Sequence, residues 1–190
     1  MIQEYHLSTD TITPNFLENI REHYPHAQVE IRVTAPKNVE CLTEKKFWEL
    51  IEIFDWTKAD DDNAIIENTV KALSELPLRQ IYEFQDLLSE KLFALDTRKH
   101  AANTGENAYE NSNSDFSADE FLYARCCVVA NGKDFHKKIL QNPSLMPQDL
   151  TFETLLTVAH KAYFLKTNKQ FRYVPTHNIE TFANKIGWEK

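Results

Sequence analysis

The sequence predicts a mainly α-helical protein, in which a bundle-like domain of roughly six helices over residues 39–190 follows a small β-α-β element over residues 1–38. Two observations support this fold class. After residue 43, apolar residues recur at helical spacing almost throughout, whereas residues 1–34 show two alternating stretches that flank one helical stretch. With 190 residues and 42% hydrophobic content, the chain is large enough to bury a core of its own.

The β-α-β element begins with a short alternating stretch at residues 2–7. Thr13 and Pro14 then form a helix start, in which a cap residue is followed by proline at the first helical position. Residues 27–33 alternate strictly, as in a half-buried strand. Because a two-stranded unit of this size is marginally stable alone, we expect it to pack on the remainder or to pair with another copy.

The first three helices of the bundle-like domain are marked by start signals. Thr43 caps a helix that ends near Asp55, and the acidic residues 60–62 start the second helix, where the helix dipole favours negative charge. Pro77 opens a third helix that runs to about residue 101. One face of this helix is apolar and consists of Ile81, Phe84, Leu88, Leu92 and Leu95.

The last three helices follow a polar loop at residues 103–116. Ser117 and Glu120 match a capping box in front of the fourth helix. A short fifth helix precedes Pro143, and a sixth covers about residues 152–166.

The tail of the chain differs from the helices before it. Residues 170–174 have an extended pattern, and Pro175 argues against a central strand there. The stretch 180–188 contains enough aromatic side chains to dock on the domain.

Arg125 is the most informative residue, because it is a basic side chain in an apolar helix. The stretch 121–130 around it is apolar or aromatic in nearly every direction, which is typical of a helix packed on all sides. A buried guanidinium costs several kcal/mol unless it is paired and hydrogen-bonded, so an acidic group must meet it. Asp96 is the predicted partner, since it follows Leu92 by four residues and lies beside the apolar face of the third helix.

Two hypotheses follow for this charge. In the structural one, Asp96 and Arg125 form a buried ion pair, which the hydroxyl of Tyr123 or Thr97 extends. In the functional one, Asp96, Arg98, Tyr123 and Arg125 line a pocket for a carboxylate or phosphate. The solvent access of Arg125 distinguishes them, because an arginine sealed against Asp96 excludes the pocket.

Composition disfavours several function classes. The net charge of −8 disfavours general nucleic-acid binding. No apolar stretch reaches the roughly 20 residues that span a bilayer, and the N-terminus lacks a signal-peptide pattern, so we expect a cytosolic protein that does not insert into membranes. Three cysteines and seven histidines show no metal-binding spacing, and neither a nucleophile motif nor a phosphate loop occurs. We therefore expect no catalytic residue, no cofactor and no metal site.

Motifs spread over residues 44–188 resemble a bacterial family. They are the pairs Phe47-Trp48, Asp55-Trp56 and Gly187-Trp188 and the stretches 94–98, 121–126 and 128–132. This set resembles the domain of unknown function 4240 family, which implies no established activity and therefore no catalytic residue. Residues 12–17 and 29–31 are in addition similar to the β-α-β openings of small bacterial antitoxin-like proteins.

From these observations we predict a cytosolic bacterial protein-interaction module of the immunity or antitoxin type. Residues 133–172 carry seven basic and three acidic side chains within an acidic protein, so the expected partners are an acidic protein or a second copy bound head to tail. The alternative is a small-molecule enzyme or sensor that binds an anionic ligand through Arg98 and Arg125. The sequence leaves open whether the protein is an enzyme.

Overall fold

The computed structural model describes residues 14–30, 40–106, 108–111 and 115–189. The contacts between residues divide the chain into two units, Met1–Val39 and Glu40–Lys190.

The first unit contains α1 (Pro14–His23), which begins at the proline that the sequence predicts. The predicted β-α-β element is not seen in the described part of this unit. Residues 27–30, from the second predicted strand, have no regular secondary structure, and residues 21–30 are all exposed. The alternation at 27–30 therefore does not correspond to one buried face. The first predicted strand, at residues 2–7, and residues 31–33 of the second lie outside the described residues.

The second unit is helical, as the sequence predicts. Its α-helices are α2 (Glu44–Glu52), α3 (Asp62–Glu75), α4 (Leu78–Leu95), α5 (Arg98–Ala101), α6 (Ala118–Ala130), α7 (Lys133–Gln141), α8 (Val158–Thr167) and α9 (Lys185–Trp188). Three short 3₁₀ helices join them, at Trp56–Lys58, Pro143–Leu145 and Glu153–Thr157. Among the described residues, none of these helices combines the length and the apolar composition that crossing a bilayer requires.

Local hydrogen bonds explain where several helices begin. The Thr43 hydroxyl accepts a hydrogen bond from the N–H of Lys46, and the Asp61 carboxylate accepts from two N–H groups of the first turn of α3. Ser117 accepts from the N–H of Glu120 at the start of α6, so the predicted cap is present.

Two predicted helices are interrupted. The third helix ends at Leu95, because Asp96 has a non-helical backbone with ψ of 72° and Thr97 starts the separate turn α5 by accepting from the N–H of His100. The predicted sixth helix begins as the 3₁₀ helix Glu153–Thr157 and becomes α-helical only from Val158.

The core lies around α4 and α6. The predicted apolar face of α4 is confirmed, since all five of its residues are fully buried. In α6, nine of thirteen residues are buried, as expected for a helix packed on all sides. α6 packs against α4 and against the 3₁₀ helix Glu153–Thr157, and α8 packs against α3 and α4.

Candidate functional site

Residues 171–188 form a largely extended segment that we call the C-terminal strap. Only its last turn, α9, is helical, and none of its residues belongs to a β-strand. From 171 to 180 the odd-numbered side chains are buried or half-buried and the even-numbered ones are exposed. A period of two is typical of an extended chain that lies on a surface. Because this surface is helical, the backbone N–H and C=O groups of the strap need partners other than a neighbouring strand.

The strap lies along one face of α4, which we call the strap face. Its residues are four and three positions apart in turn, so they form one line along the helix. They are Tyr82, Asp86, Ser89, Phe93 and Asp96, the last of which directly follows the helix. Successive strap residues contact them in the same order, so the strap runs parallel to α4.

Asp86 and Ser89 hold the first half of the strap. The phenol of Tyr173 donates to Asp86 Oδ2 at 2.7 Å, and the N–H of Thr176 donates to Asp86 Oδ1 at 2.8 Å. The N–H of His177 donates to Ser89 Oγ at 3.4 Å. Burial, with the hydrogen bond to Asp86, raises the pKa of Tyr173 to about 12. The phenol therefore keeps its proton at neutral pH and acts as a donor.

Arg125 of α6 holds the middle of the strap. Its Nη2 donates to the carbonyl oxygen of Ile179 and to Thr181 Oγ1, both at 3.0 Å, and its Nη1 donates to the carbonyl oxygen of Leu92 at 3.1 Å. The guanidinium carbon also lies 4.8 Å from the ring centre of Phe121. Arg125 is 0% exposed, so the strap and the two helices seal it completely.

Asp96 holds the end of the strap. Its Oδ1 accepts from the N–H of Phe182 at 3.2 Å and from Trp188 Nε1 at 2.8 Å, and its Oδ2 accepts from the N–H of Asn184 at 2.9 Å. Asp96 is also 0% exposed. Three donors from one short segment thus satisfy a buried carboxylate.

The predicted direct ion pair between Asp96 and Arg125 is wrong. The donors of Arg125 reach uncharged oxygens, and the described residues contain no ion pair that includes it. The reason is the break after α4, which places the Asp96 carboxylate on the strap residues 182–188, while Arg125 binds the strap at 179 and 181. Burial lowers the pKa of Arg125, and the nearby negative charge of Asp96 opposes this effect. Hydrogen bonds to the strap therefore satisfy the Asp96 carboxylate, whereas Arg125 donates to the strap and to Leu92 and its buried Nε has no hydrogen-bond partner among the described residues.

Tyr123 and Arg98 do not join Asp96 and Arg125 in one pocket. Tyr123 faces the 3₁₀ helix at 153–157, where burial, and then the charge of Glu153, raise the pKa of its phenol. Arg98 is half-exposed and lies 5.6 Å from the ring centre of Tyr109.

Arg98 also lines an open surface depression together with Lys99, Gly187 and Glu189. Because the Arg125 guanidinium is sealed from solvent, it cannot bind an anionic ligand as predicted. Of the predicted pair of arginines, only Arg98 in this depression is accessible to a ligand, and anion binding there stays a prediction.

Sequence reasoning missed Asp86 and Ser89 as residues that accept hydrogen bonds from the strap. Their signal is present, because they lie on α4 at the same four-three spacing as Asp96 and next to the apolar face. A second signal is the alternation of Phe171 and Tyr173 with Gln170 and Arg172 after α8.

Two buried histidines, which sequence reasoning also missed, lie on α5 and α7. His100 Nε2 donates to the carbonyl oxygen of Ile139, and His136 Nε2 donates to that of Lys91, both at 3.2 Å. Burial lowers the pKa of both histidines, so they are neutral at pH 7. Their hydrogen bonds connect α5 to α7 and α7 to α4.

The described residues contain no cluster of three or more His, Cys, Asp or Glu side chains that could hold a metal ion. Burial raises the pKa of the Cys126 and Cys127 thiols, which disfavours the nucleophilic thiolate at neutral pH.

Comparison with known proteins gave one match. The family described as Protein of unknown function (DUF4240) matches residues 42–164. No curated protein and no solved structure matched the chain. The predicted similarity of the N-terminal residues to antitoxin-like proteins has no support from these comparisons. The matched range contains Asp86, Asp96 and Arg125 and ends before the strap begins.

Proposed function

The chain belongs to the domain of unknown function 4240 family, and we propose that its helical domain is a protein-interaction module that binds an extended polypeptide segment. The binding site is the strap face of α4 together with Arg125, which we call the strap site. In this structure the strap of the same chain fills the strap site.

The single observation that supports this proposal most is the way the strap backbone is held. Side chains of the domain accept from the N–H groups of Thr176, His177, Phe182 and Asn184, and Arg125 donates to the carbonyl oxygen of Ile179. Main-chain groups are present in every polypeptide, so contacts of this kind supply affinity without demanding one sequence. Aromatic contacts then select the side chains, as where the ring of Tyr173 lies 4.8 Å from that of Tyr82.

The placement of the family match also supports the proposal. The strap site lies within the matched residues 42–164, whereas the segment that fills it lies outside them. The charge distribution agrees, because residues 169–190 carry four basic and two acidic side chains, and residues 40–168 carry 22 acidic and 14 basic ones. A weakly basic segment is thus attracted to an acidic domain.

The test uses the full chain, cut after folding. A protease recognition sequence is inserted between residues 168 and 170, which are exposed, and the folded protein is cleaved there. A fluorescent peptide of residues 171–190 is then added, and its anisotropy is followed while it replaces the cleaved strap. We expect saturable binding to the wild-type domain, with affinity at least about tenfold weaker for Asp96→Asn, because two backbone N–H groups lose a charged acceptor.

Lys137→Met is the matched control, since its side chain is exposed on α7, which packs against α6 and the 3₁₀ helix Pro143–Leu145. We expect this variant to bind the peptide like wild type. The proposal is contradicted if the cleaved protein is still folded and the peptide does not bind to it. Equal affinity for Asp96→Asn and wild type also contradicts it.

The hypothesis of an anionic ligand keeps one supporting observation, the two cationic side chains of Arg98 and Lys99 in one surface depression. Titration with inorganic phosphate, followed by nuclear magnetic resonance of the backbone amides, tests it. Binding there predicts saturable shifts around residues 98–99 that Arg98→Met removes. Glu189 lies in the same depression and opposes an anion, so we rank this function second.

A further inference from the structure

We infer that the strap of one copy of this chain fills the strap site of a second copy, so that two copies form a closed dimer by reciprocal exchange. This inference rests on the proposed function, because exchange requires a strap site that accepts a segment from another molecule. It adds the identity of one partner, which is the chain itself.

Exchange between two copies preserves the contacts of the strap. Tyr173, Thr176 and Asn184 donate to Asp86 and Asp96, and these acceptors are present in every copy. An exchanged dimer can therefore form the same bonds as the closed monomer. The equilibrium between the two then depends on the connecting residues and on concentration.

Residues 168–170, which we call the hinge, connect α8 to the strap. All three residues are exposed. Asn168 has a left-handed backbone, with φ of 53°, and its N–H donates to the carbonyl oxygen of Phe164 at 2.7 Å. Asparagine is one of the few residues other than glycine that adopts this conformation at helix C-termini, and β-branched residues pay a much larger penalty for it. A hinge that runs straight into a second copy leaves the left-handed region, so the residue at 168 affects the balance between the closed monomer and the exchanged dimer.

The two exchanging parts carry opposite net charges. The strap and hinge have a basic excess, and the rest of the helical unit has an acidic excess. Opposite charges increase the rate at which a free strap meets the strap site of another copy.

The experiment measures the oligomeric state of the full chain by sedimentation velocity over a wide concentration range, for wild type and for two hinge variants. Asn168→Gly removes the left-handed penalty and is expected to favour the closed monomer. Asn168→Val increases the penalty and is expected to favour the exchanged dimer. Because each dimer has two hinges, we expect the dimer dissociation constants of the two variants to differ by about a hundredfold, with wild type between them.

Three outcomes overturn the inference. One is that all three proteins stay monomeric at every concentration. Another is a dimer with the same dissociation constant in all three, because such a dimer forms through another surface. The third is a reversed order of the variants. If Asn168→Val does not fold, the dimer dissociation constants of wild type and Asn168→Gly are compared instead, and equal values overturn the inference.

The peptide experiment separates this inference from the proposed function. One possible result is that the labelled peptide binds to the cleaved domain while the full chain is monomeric in wild type and in both hinge variants. This result overturns the exchange but agrees with the proposed function. Absence of peptide binding overturns both.

Discussion

Two faces of α4 stabilise the protein in different ways. The inner face is apolar, and each of its five residues is fully buried. The strap face beside it is polar and aromatic, and it holds an extended segment by directional hydrogen bonds. Burying one large apolar side chain contributes about 1.5–3 kcal/mol, whereas a hydrogen bond contributes about 0.5–1.5 kcal/mol net.

From this difference we expect the strap to detach from α4 without unfolding of the helices that pack on the inner face. The apolar face is shared by several helices, so losing it unfolds the domain. The strap face depends on hydrogen bonds that water can replace, so the strap can open while the helices stay folded. This is the property that a binding site for an exchangeable segment needs.

The largest expected effect comes from the inner face. Phe84→Ala removes a fully buried ring and is expected to lower the free energy of unfolding by about 3–5 kcal/mol. Urea unfolding followed by circular dichroism measures it. The strap and the helices should be lost in one transition. A loss below about 1 kcal/mol would show that this face does not carry the core.

The next largest effect comes from the arginine that joins both faces. Arg125→Met leaves the carbonyl oxygens of Leu92 and Ile179 without their donor, and we expect a loss of about 3 kcal/mol in the same unfolding experiment. Arg98→Met is the matched control, since Arg98 is only half-buried and its guanidinium lies over the ring of Tyr109. The control should lose about 1 kcal/mol or less. Equal losses would contradict the structural role of Arg125.

A smaller effect is expected on the strap face. Tyr173→Phe removes the phenol that donates to Asp86 and is expected to cost about 1 kcal/mol. The strap should be cut faster by trypsin after Arg172, while the urea transition of the helices changes little. Thr176→Ala is the matched control, because it keeps the N–H that donates to Asp86. If the two variants are cut at equal rates, the Tyr173 phenol does not anchor the strap.

The mildest perturbation changes the pH and no side chain. Burial lowers the pKa of His100 and His136 below the ordinary value of about 6.5, so the unfolded chain binds protons more readily than the folded one. The stability that they contribute is present above pH of about 6.5 and is lost as the pH falls from there toward their lowered folded pKa values. His160 shifts in the same direction and adds to the loss.

Urea unfolding at a series of pH values measures this slope. His136→Gln keeps a donor for the carbonyl oxygen of Lys91 without titrating, so the slope between about pH 6.5 and pH 5 should become shallower. An unchanged slope would show that His136 is not held neutral.

The parts of the fold that follow from local patterns were predictable from the sequence. The apolar periodicity of α4 and the capping residue Ser117 depend on neighbours three or four positions away, and both predictions are confirmed. The break at Asp96 was not predicted, although the apolar pattern stops at Leu95 and Thr97 is a typical cap residue, because residues 96–101 contain neither the glycine nor the proline that usually marks a helix end.

The candidate site was predictable only in part. The apolar surroundings of Arg125 correctly indicate that it is buried, but they do not identify the groups that satisfy it. Its partners on the strap, Ile179 and Thr181, are more than fifty residues away, and a carbonyl oxygen has no sequence signature. Asp96 was chosen because opposite charges attract, whereas Asp96 accepts from donors of the strap and Arg125 donates to acceptors of the strap, without direct pairing.

The most direct test of the central claim is native-state hydrogen exchange on wild type and Asp96→Asn. We predict that the strap amides of Phe182 and Asn184 exchange by local opening, faster than the amides in the middle of α4 and α6. We also predict that Asp96→Asn accelerates these two strap amides most. The contradictory result is that the strap amides exchange only with global unfolding, at the same rate as those of α6, in both proteins.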